Sequence, residues 1–114
     1  MTSKEIAMII AELISEKKGK EITIINISEK SSFADYFVNA TAGSERQLGA
    51  IANDVQDKMA ETGVIPKNSE GRPETGWILV DGGDVIVNLF TPEVRERYAL
   101  DRIWSDCEIQ NYEG

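Results

Sequence analysis

Histidine is absent from this 114-residue chain, and only one cysteine, Cys107, is present. The first absence removes Ser-His-Asp and Cys-His nucleophilic machinery, together with the commonest zinc ligand. The second excludes an internal disulfide and fits a reducing compartment such as the cytosol. Cys107 has no basic neighbour in sequence and reads as an inert thiol. No apolar run approaches the roughly 18 residues of a membrane span. The amino end carries Glu5 and lacks a long apolar core, so it does not read as a secretory signal. Basic residues are the minority: 12 Lys and Arg stand against 20 Asp and Glu, a formal net charge of -8. Such a surface repels phosphate, so direct binding to nucleic acid or to an anionic membrane is not expected. A basic protein is the better-matched partner. Internal repeats, low-complexity tracts and linkers are missing too.

What is present is 41% hydrophobic and 28% charged, the make-up of a soluble globular chain. Its length suits one domain over residues 1–114 and is too short for two. The organising stretch is 77–90. There Trp77-Ile78-Leu79-Val80-Asp81 and Asp84-Val85-Ile86-Val87-Asn88-Leu89-Phe90 flank Gly82-Gly83. Two β-prone runs around a Gly-Gly pair predict a hairpin whose two-residue loop takes positive φ at no steric cost. Both runs are apolar nearly throughout, so both faces are expected to be covered, as in the centre of a sheet.

Residues 3–18 read as an amphipathic helix. Thr2 and Glu5 fit a capping box, the stripe is Ile6, Ile9, Ile10, Leu13 and Ile14, and Gly19 ends it after Lys17 and Lys18. A β-branched run at 22–27 is strand one, 28–32 is a polar turn, and 35–41 is strand two. Ser44 with Gln47 starts a helix over about 45–62, with Leu48, Ile51, Ala52, Val55 and Met59 on one face. Gly63 is its C′ residue, with Pro66 beyond. Strand two, this helix and the strand at Trp77 then form a right-handed βαβ crossover with those strands parallel. The intervening 66–76 is expected to be a surface loop. Thr91-Pro92-Glu93 starts a last helix, from which Val94, Tyr98, Ile103 and Trp104 can pack back on the sheet. Arg95, Arg97 and Arg102 alternate with Glu93, Glu96 and Asp101, which reads as a solvated face. The last ten residues are expected to be loosely held. The sum is an α/β domain: a mixed sheet of four or more strands with helices on at least one face.

Chemistry is sparse. Gly43-Ser44 at a helix start could take a phosphate, and a Gly-Ser pair at a helix start is also a nucleotidyltransferase feature. The two metal-binding carboxylates should then follow on a strand. Asp54 and Asp57 instead fall on the polar side of a helix, so a capped helix is the better reading. Asp81 and Asp84 bracket the hairpin turn. Capping of nearby amides explains them first, contact with a partner's Arg or Lys second, and catalysis a distant third. Trp77 is a core residue or, if exposed, a binding anchor.

Taken together, the motifs carry more. Ser31 to Val38 and Ala40 to Gln47, then Glu70-Gly71, Trp77 to Asp81 and Gly83 to Val87, then Phe90, Arg95, Tyr98, Leu100 and Ile103-Trp104, resemble the ribosomal silencing factor (RsfS) family. The resemblance runs through nearly the whole chain in order. It implies a small mixed-sheet domain of nucleotidyltransferase-like topology without catalytic residues. It implies a protein that is not an enzyme, needs no cofactor or metal and forms a homodimer in isolation. Its implied partner is the basic large-subunit ribosomal protein uL14 at the intersubunit face, where it blocks subunit joining and represses translation when nutrients are scarce. Carried over by position, the partner surface centres on Trp77, Leu79, Asp81, Asp84, Val87 and Phe90, with Asp35 and Tyr36 nearby. Three positions depart from the family pattern: Asn26 replaces Asp, Gly82 replaces Tyr, and Asn88 replaces His.

Overall fold

Six strands form one mixed sheet in the order β3-β4-β5-β2-β1-β6 in the computed structural model, which describes residues 2–64, 68–98 and 106–112. The elements are α1 (Ser3–Glu16), β1 (Lys20–Asn26), β2 (Tyr36–Thr41), α2 (Glu45–Glu61), β3 (Asn68–Arg72), β4 (Trp77–Asp81), β5 (Val85–Phe90), α3 (Pro92–Tyr98) and β6 (Glu108–Asn111). The Pro66 stop and the packing expected of Tyr98, Ile103 and Trp104 lie outside the described residues and side chains.

The capping box of α1 is present: Glu5 N–H donates to Thr2 Oγ1 at 3.1 Å, and Thr2 N–H donates to Glu5 Oε1 at 3.2 Å. The helix ends in a Schellman turn, with Gly19 N–H donating to Ile14 O at 2.8 Å. Its left-handed residue is Lys18, at φ 73°, and not the glycine. Gly19 is needed for space, because a Cβ there would lie 2.3 Å from Ile14 Cγ2. The buried face of α1 is Ala7, Ile10, Ala11 and Ile14, a rotation of the expected stripe; Ile6, Ile9 and Leu13 flank it half-buried. Two alanines let the helix axis approach the sheet. In α2 the buried set is Leu48, Ile51, Ala52, Val55 and Met59, as the periodicity predicts, and Gly63 closes it at φ 90°.

Both long helices pack on one sheet face. Beneath them lie Ile22, Ile24, Val38, Ala40, Ile78, Val80, Val85, Val87 and Leu89 in one continuous core. Fully burying each such Ile, Leu or Val side chain contributes about 1.5–3 kcal/mol before entropy is counted.

The crossover differs from expectation. β2 runs parallel to β5, not to β4, and β4 is antiparallel to β5. The strand that α2 leads into is β3, in the stretch read as a surface loop, and β3 is antiparallel to β4. It therefore points the same way as β2, with β4 and β5 between them. Asn68–Arg72 has no β-branched or aromatic residue, so local propensity gave no strand signal; the ladder offered by β4 overrides it. The carboxyl end also departs from expectation: Glu108–Asn111 pairs antiparallel with β1, and Tyr112 N–H donates to Ile22 O at 2.9 Å. Both strands are sheet edges, where polar composition is usual.

The hairpin forms one residue later than predicted. Gly82 N–H donates to Val85 O at 3.0 Å, so the loop residues are Gly83 and Asp84, and the positive φ of 88° belongs to Gly83. Gly82 answers to packing instead: a Cβ would lie 2.9 Å from Val85 O and 3.0 Å from the Met59 side chain. β5 is buried at every position, as expected of a central strand, whereas β4 alternates half-buried and buried.

Candidate functional site

Alternation along each strand puts Trp77, Leu79 and Asp81 on the sheet face away from α1 and α2, because Ile78 and Val80 lie in the helix-side core. The register of the strands makes three cross-sheet rows on that second face. One is Asp81, Ile86, Phe37, Ile25 and Ile109; the next is Leu79, Asn88, Asn39, Thr23 and Asn111; the third is Trp77, Phe90 and Thr41. The first row is apolar but for Asp81, and its Ile25 and Ile86 form a second small core with Ile27 and Ala34. The middle row is polar at its centre.

Trp77 is held at two points. Its ring lies on Phe90, with centroids 5.4 Å apart and planes at 39°. Its Nε1–H donates to Asn88 Oδ1 at 3.2 Å, and Asn88 Nδ2–H donates to Asn39 Oδ1 at 3.1 Å. Among the described residues no buried side-chain polar atom lacks a partner. Trp77 and Leu79 line a groove of about 300 Å³ with Glu70, Gly71 and Thr75 of the neighbouring edge. Gly71 has φ 94°, and a Cβ on it would lie 2.1 Å from Trp77 O. Only glycine lets β3 lie this close to β4 at the groove.

At the hairpin end, carboxylates gather. Asp81 Oδ1 accepts from Gly83 N–H at 2.8 Å, which is the turn chemistry expected of it. Asp84 is exposed at the tip, and its carbonyl accepts from Asp35 N–H at 2.8 Å and Tyr36 N–H at 3.0 Å. Ser3 Oγ–H donates to Asp35 Oδ2 at 3.0 Å, tying the start of α1 to this end of the sheet.

Of the residues carried over by position, the fold brings Trp77, Leu79 and Asp81 together on one face, with Asp84 and Asp35 at its hairpin end; Tyr36 alternates to the other face and packs half-buried against the helix-side core. Two positions are not surface. Val87 is fully buried in the helix-side core, and Phe90 is 1% exposed beneath Trp77. Neither can touch a partner, because consecutive positions of β5 are covered from both sides. Sequence reasoning missed the Glu70, Gly71 and Thr75 wall, which lay in the supposed loop, and the Asn39 contact, whose only local sign was an amide in an apolar run. It also read Arg95 as solvated. The guanidinium instead donates to Thr41 Oγ1 at 3.1 Å, to Thr23 Oγ1 at 3.4 Å and to the Glu21 carbonyl.

Among the described residues no group of three or more His, Cys, Asp or Glu is arranged to hold a metal ion. On α2, Asp57 is exposed and Asp54 half-buried, and Asp54 pairs with Lys17 at 3.8 Å. No helix of the described residues is long and apolar enough to cross a membrane.

Fold and second face together define a small mixed-sheet α/β domain with a tryptophan-lined groove along one edge of its open face. The sequence profile described as "Ribosomal silencing factor during starvation" matches residues 1–113, and the chain belongs to that family, RsfS. It is similar to the ribosomal silencing factor RsfS of Bacillus subtilis, 35% identical over 109 residues that cover 96% of this chain and 92% of that protein. Its fold is similar to the crystal structure of a Chromobacterium violaceum protein, with a TM-score of 0.88 and 36% identity, covering 100% of this chain and 95% of that one. A more distant relative, mouse "Mitochondrial assembly of ribosomal large subunit protein 1", is 28% identical over 84% of this chain and 43% of its own length.

Proposed function

We propose that this protein docks through the β4 side of its second face, from Trp77 to the hairpin carboxylates, onto the basic ribosomal protein uL14, at the intersubunit face of the large subunit. Occupying that face keeps the small subunit from joining and lowers translation under nutrient limitation. No bond is made or broken; excluded volume does the work. The protein then acts in the cytosol, where the subunits meet. The family match supports a ribosomal role, and the name of the mouse relative supports the large subunit in particular.

The observation that carries the site is the half-buried outward side of β4, Trp77, Leu79 and Asp81, with Asp84 and Asp35 at its hairpin end, on a chain of net charge -8. A pinned tryptophan beside an aliphatic residue is a binding anchor, and truncating such an anchor costs about 2 kcal/mol or more. Carboxylates at the rim steer a basic partner and set the salt dependence of association. The topology is read as nucleotidyltransferase-like with its strand-borne carboxylates gone, since Asp54 and Asp57 sit on helix α2 and not on a strand. Self-association in isolation is expected from the family; sedimentation measures it. The docking reading is tested by co-sedimentation with purified large subunits: wild-type protein travels with them, and Trp77→Ala combined with Asp84→Lys does not. Unchanged binding of the double variant would place the docking surface elsewhere.

A further inference from the structure

We propose that Asn39 and Asn88 are positioning residues that fix the Trp77 indole for docking, an inference that rests on the docking role given to Trp77 above. Asn39 is 1% exposed and Asn88 3%, and they lie side by side on the parallel strands β2 and β5. Burying two amides in the centre of a sheet is unfavourable unless their polar atoms are bonded, and a β-branched apolar residue would suit either place better. The amides instead form a chain with one direction. The indole can only donate, so Asn88 turns its oxygen to Trp77 and its nitrogen to Asn39, which must answer with oxygen. With Phe90 under one face of the ring, the indole is fixed at its edge and from below. Its ordering is completed on folding rather than on docking, which removes that cost from association.

The arrangement also states what Trp77 offers. Its N–H is engaged inside the fold, so the ring presents contact area and a π face. The group that docks on it is therefore apolar or cationic rather than a lone carbonyl acceptor. Asn39 does not line the groove; its bond to Asn88 is what links it to the indole.

The test uses the full chain, 15N-labelled, with two readouts: hydrogen exchange of the Trp77 indole N–H, assigned by its loss in Trp77→Phe, and co-sedimentation with purified large ribosomal subunits. Asn39→Val removes the acceptor while suiting a central strand, so it serves even if Asn39→Ala does not fold. Either variant is expected to speed indole exchange about tenfold and weaken subunit binding about threefold or more, with backbone amides of β2 and β5 within about twofold of wild type. Unchanged indole exchange, faster exchange with unchanged binding, or an equal rise across the β2 and β5 amides would each overturn the proposal. Normal binding by Trp77→Ala would instead overturn the docking role itself, independently of the asparagines.

Discussion

Arg95 on α3 donates to the hydroxyl of Thr41 at 3.1 Å, joining residues 54 positions apart. The same guanidinium reaches Thr23 Oγ1 and the carbonyl of Glu21, a residue at φ 49° in the irregular stretch between Lys20 and Thr23 of β1. One side chain thus fastens α3 to two strands. Arg95→Ala is expected to destabilise the protein by about 1–3 kcal/mol, since the buried Thr41 hydroxyl, the half-buried Thr23 hydroxyl and the Glu21 carbonyl lose a charged donor. For a domain of this size each kcal/mol lowers Tm by several degrees, on the order of 4–8 °C. Urea unfolding measures the loss. Arg95→Lys is expected to recover only part of it, because an ammonium cannot span the same fork of acceptors.

Phe90 and Trp77 touch, yet their substitutions should separate cleanly. Phe90 is fully buried, so Phe90→Ala is expected to cost about 3–5 kcal/mol of stability and to weaken docking only by loosening the fold. Trp77→Ala, at a half-buried position, is expected to leave most of the stability and remove the docking. Urea unfolding beside subunit co-sedimentation distinguishes the two.

Gly71→Ala forces a Cβ to within 2.1 Å of Trp77 O at a φ of 94°. Backbone must move, and the pairing of β3 with β4 opens at the groove. The expected cost is about 2 kcal/mol or more, and subunit binding weakens because the groove loses its outer wall. Exchange of the β4 amides that face β3 reports the opening. Normal protection there would show that the edge tolerates a side chain.

Acid should act at two surface points. Glu5 is held below its ordinary 4.5 by the Thr2 backbone N–H first and the Thr2 hydroxyl second. Asp106 is held below its ordinary 3.8 by its hydrogen bond from Lys30, at 2.9 Å. Lowered carboxylates contribute stability that is present above the ordinary values and lost as pH falls through the folded ones. Lys30, raised above 10.5 by the same pair, contributes below that value and loses it as pH rises through its folded pKa. Glu5→Gln and Asp106→Asn are each expected to flatten the acid limb of the stability curve slightly, the pairs being solvent-exposed. Carboxylate NMR titration checks the directions.

Much of the fold was legible because it is written locally. Helices α1 and α2 announce themselves by period and by Thr2, Glu5, Ser44 and Gly63, all of which act within a turn or two of their own position. The hairpin is legible for the same reason. β3 and β6 were not, because an edge strand needs no apolar residues of its own; its place is decided by the exposed ladder of β4 or β1. Arg95 was misread because alternating charges do not say which one turns inward. Val87 and Phe90 could not be told from Trp77 and Leu79, since apolar runs on both strands hide the alternation that separates the faces. The Asn39–Asn88 bond depends on a parallel register set by residues far apart, and nothing near either position encodes it.

Subunit joining, followed by light scattering of purified small and large subunits, bears most directly on the central claim. With wild-type protein bound beforehand, the joined fraction should fall in proportion to large subunits occupied. The protein carrying Trp77→Ala and Asp84→Lys, folded by its circular dichroism, should leave joining at the level seen without any protein. Full inhibition by that double variant, or unimpeded joining on large subunits saturated with wild-type protein, would contradict the account.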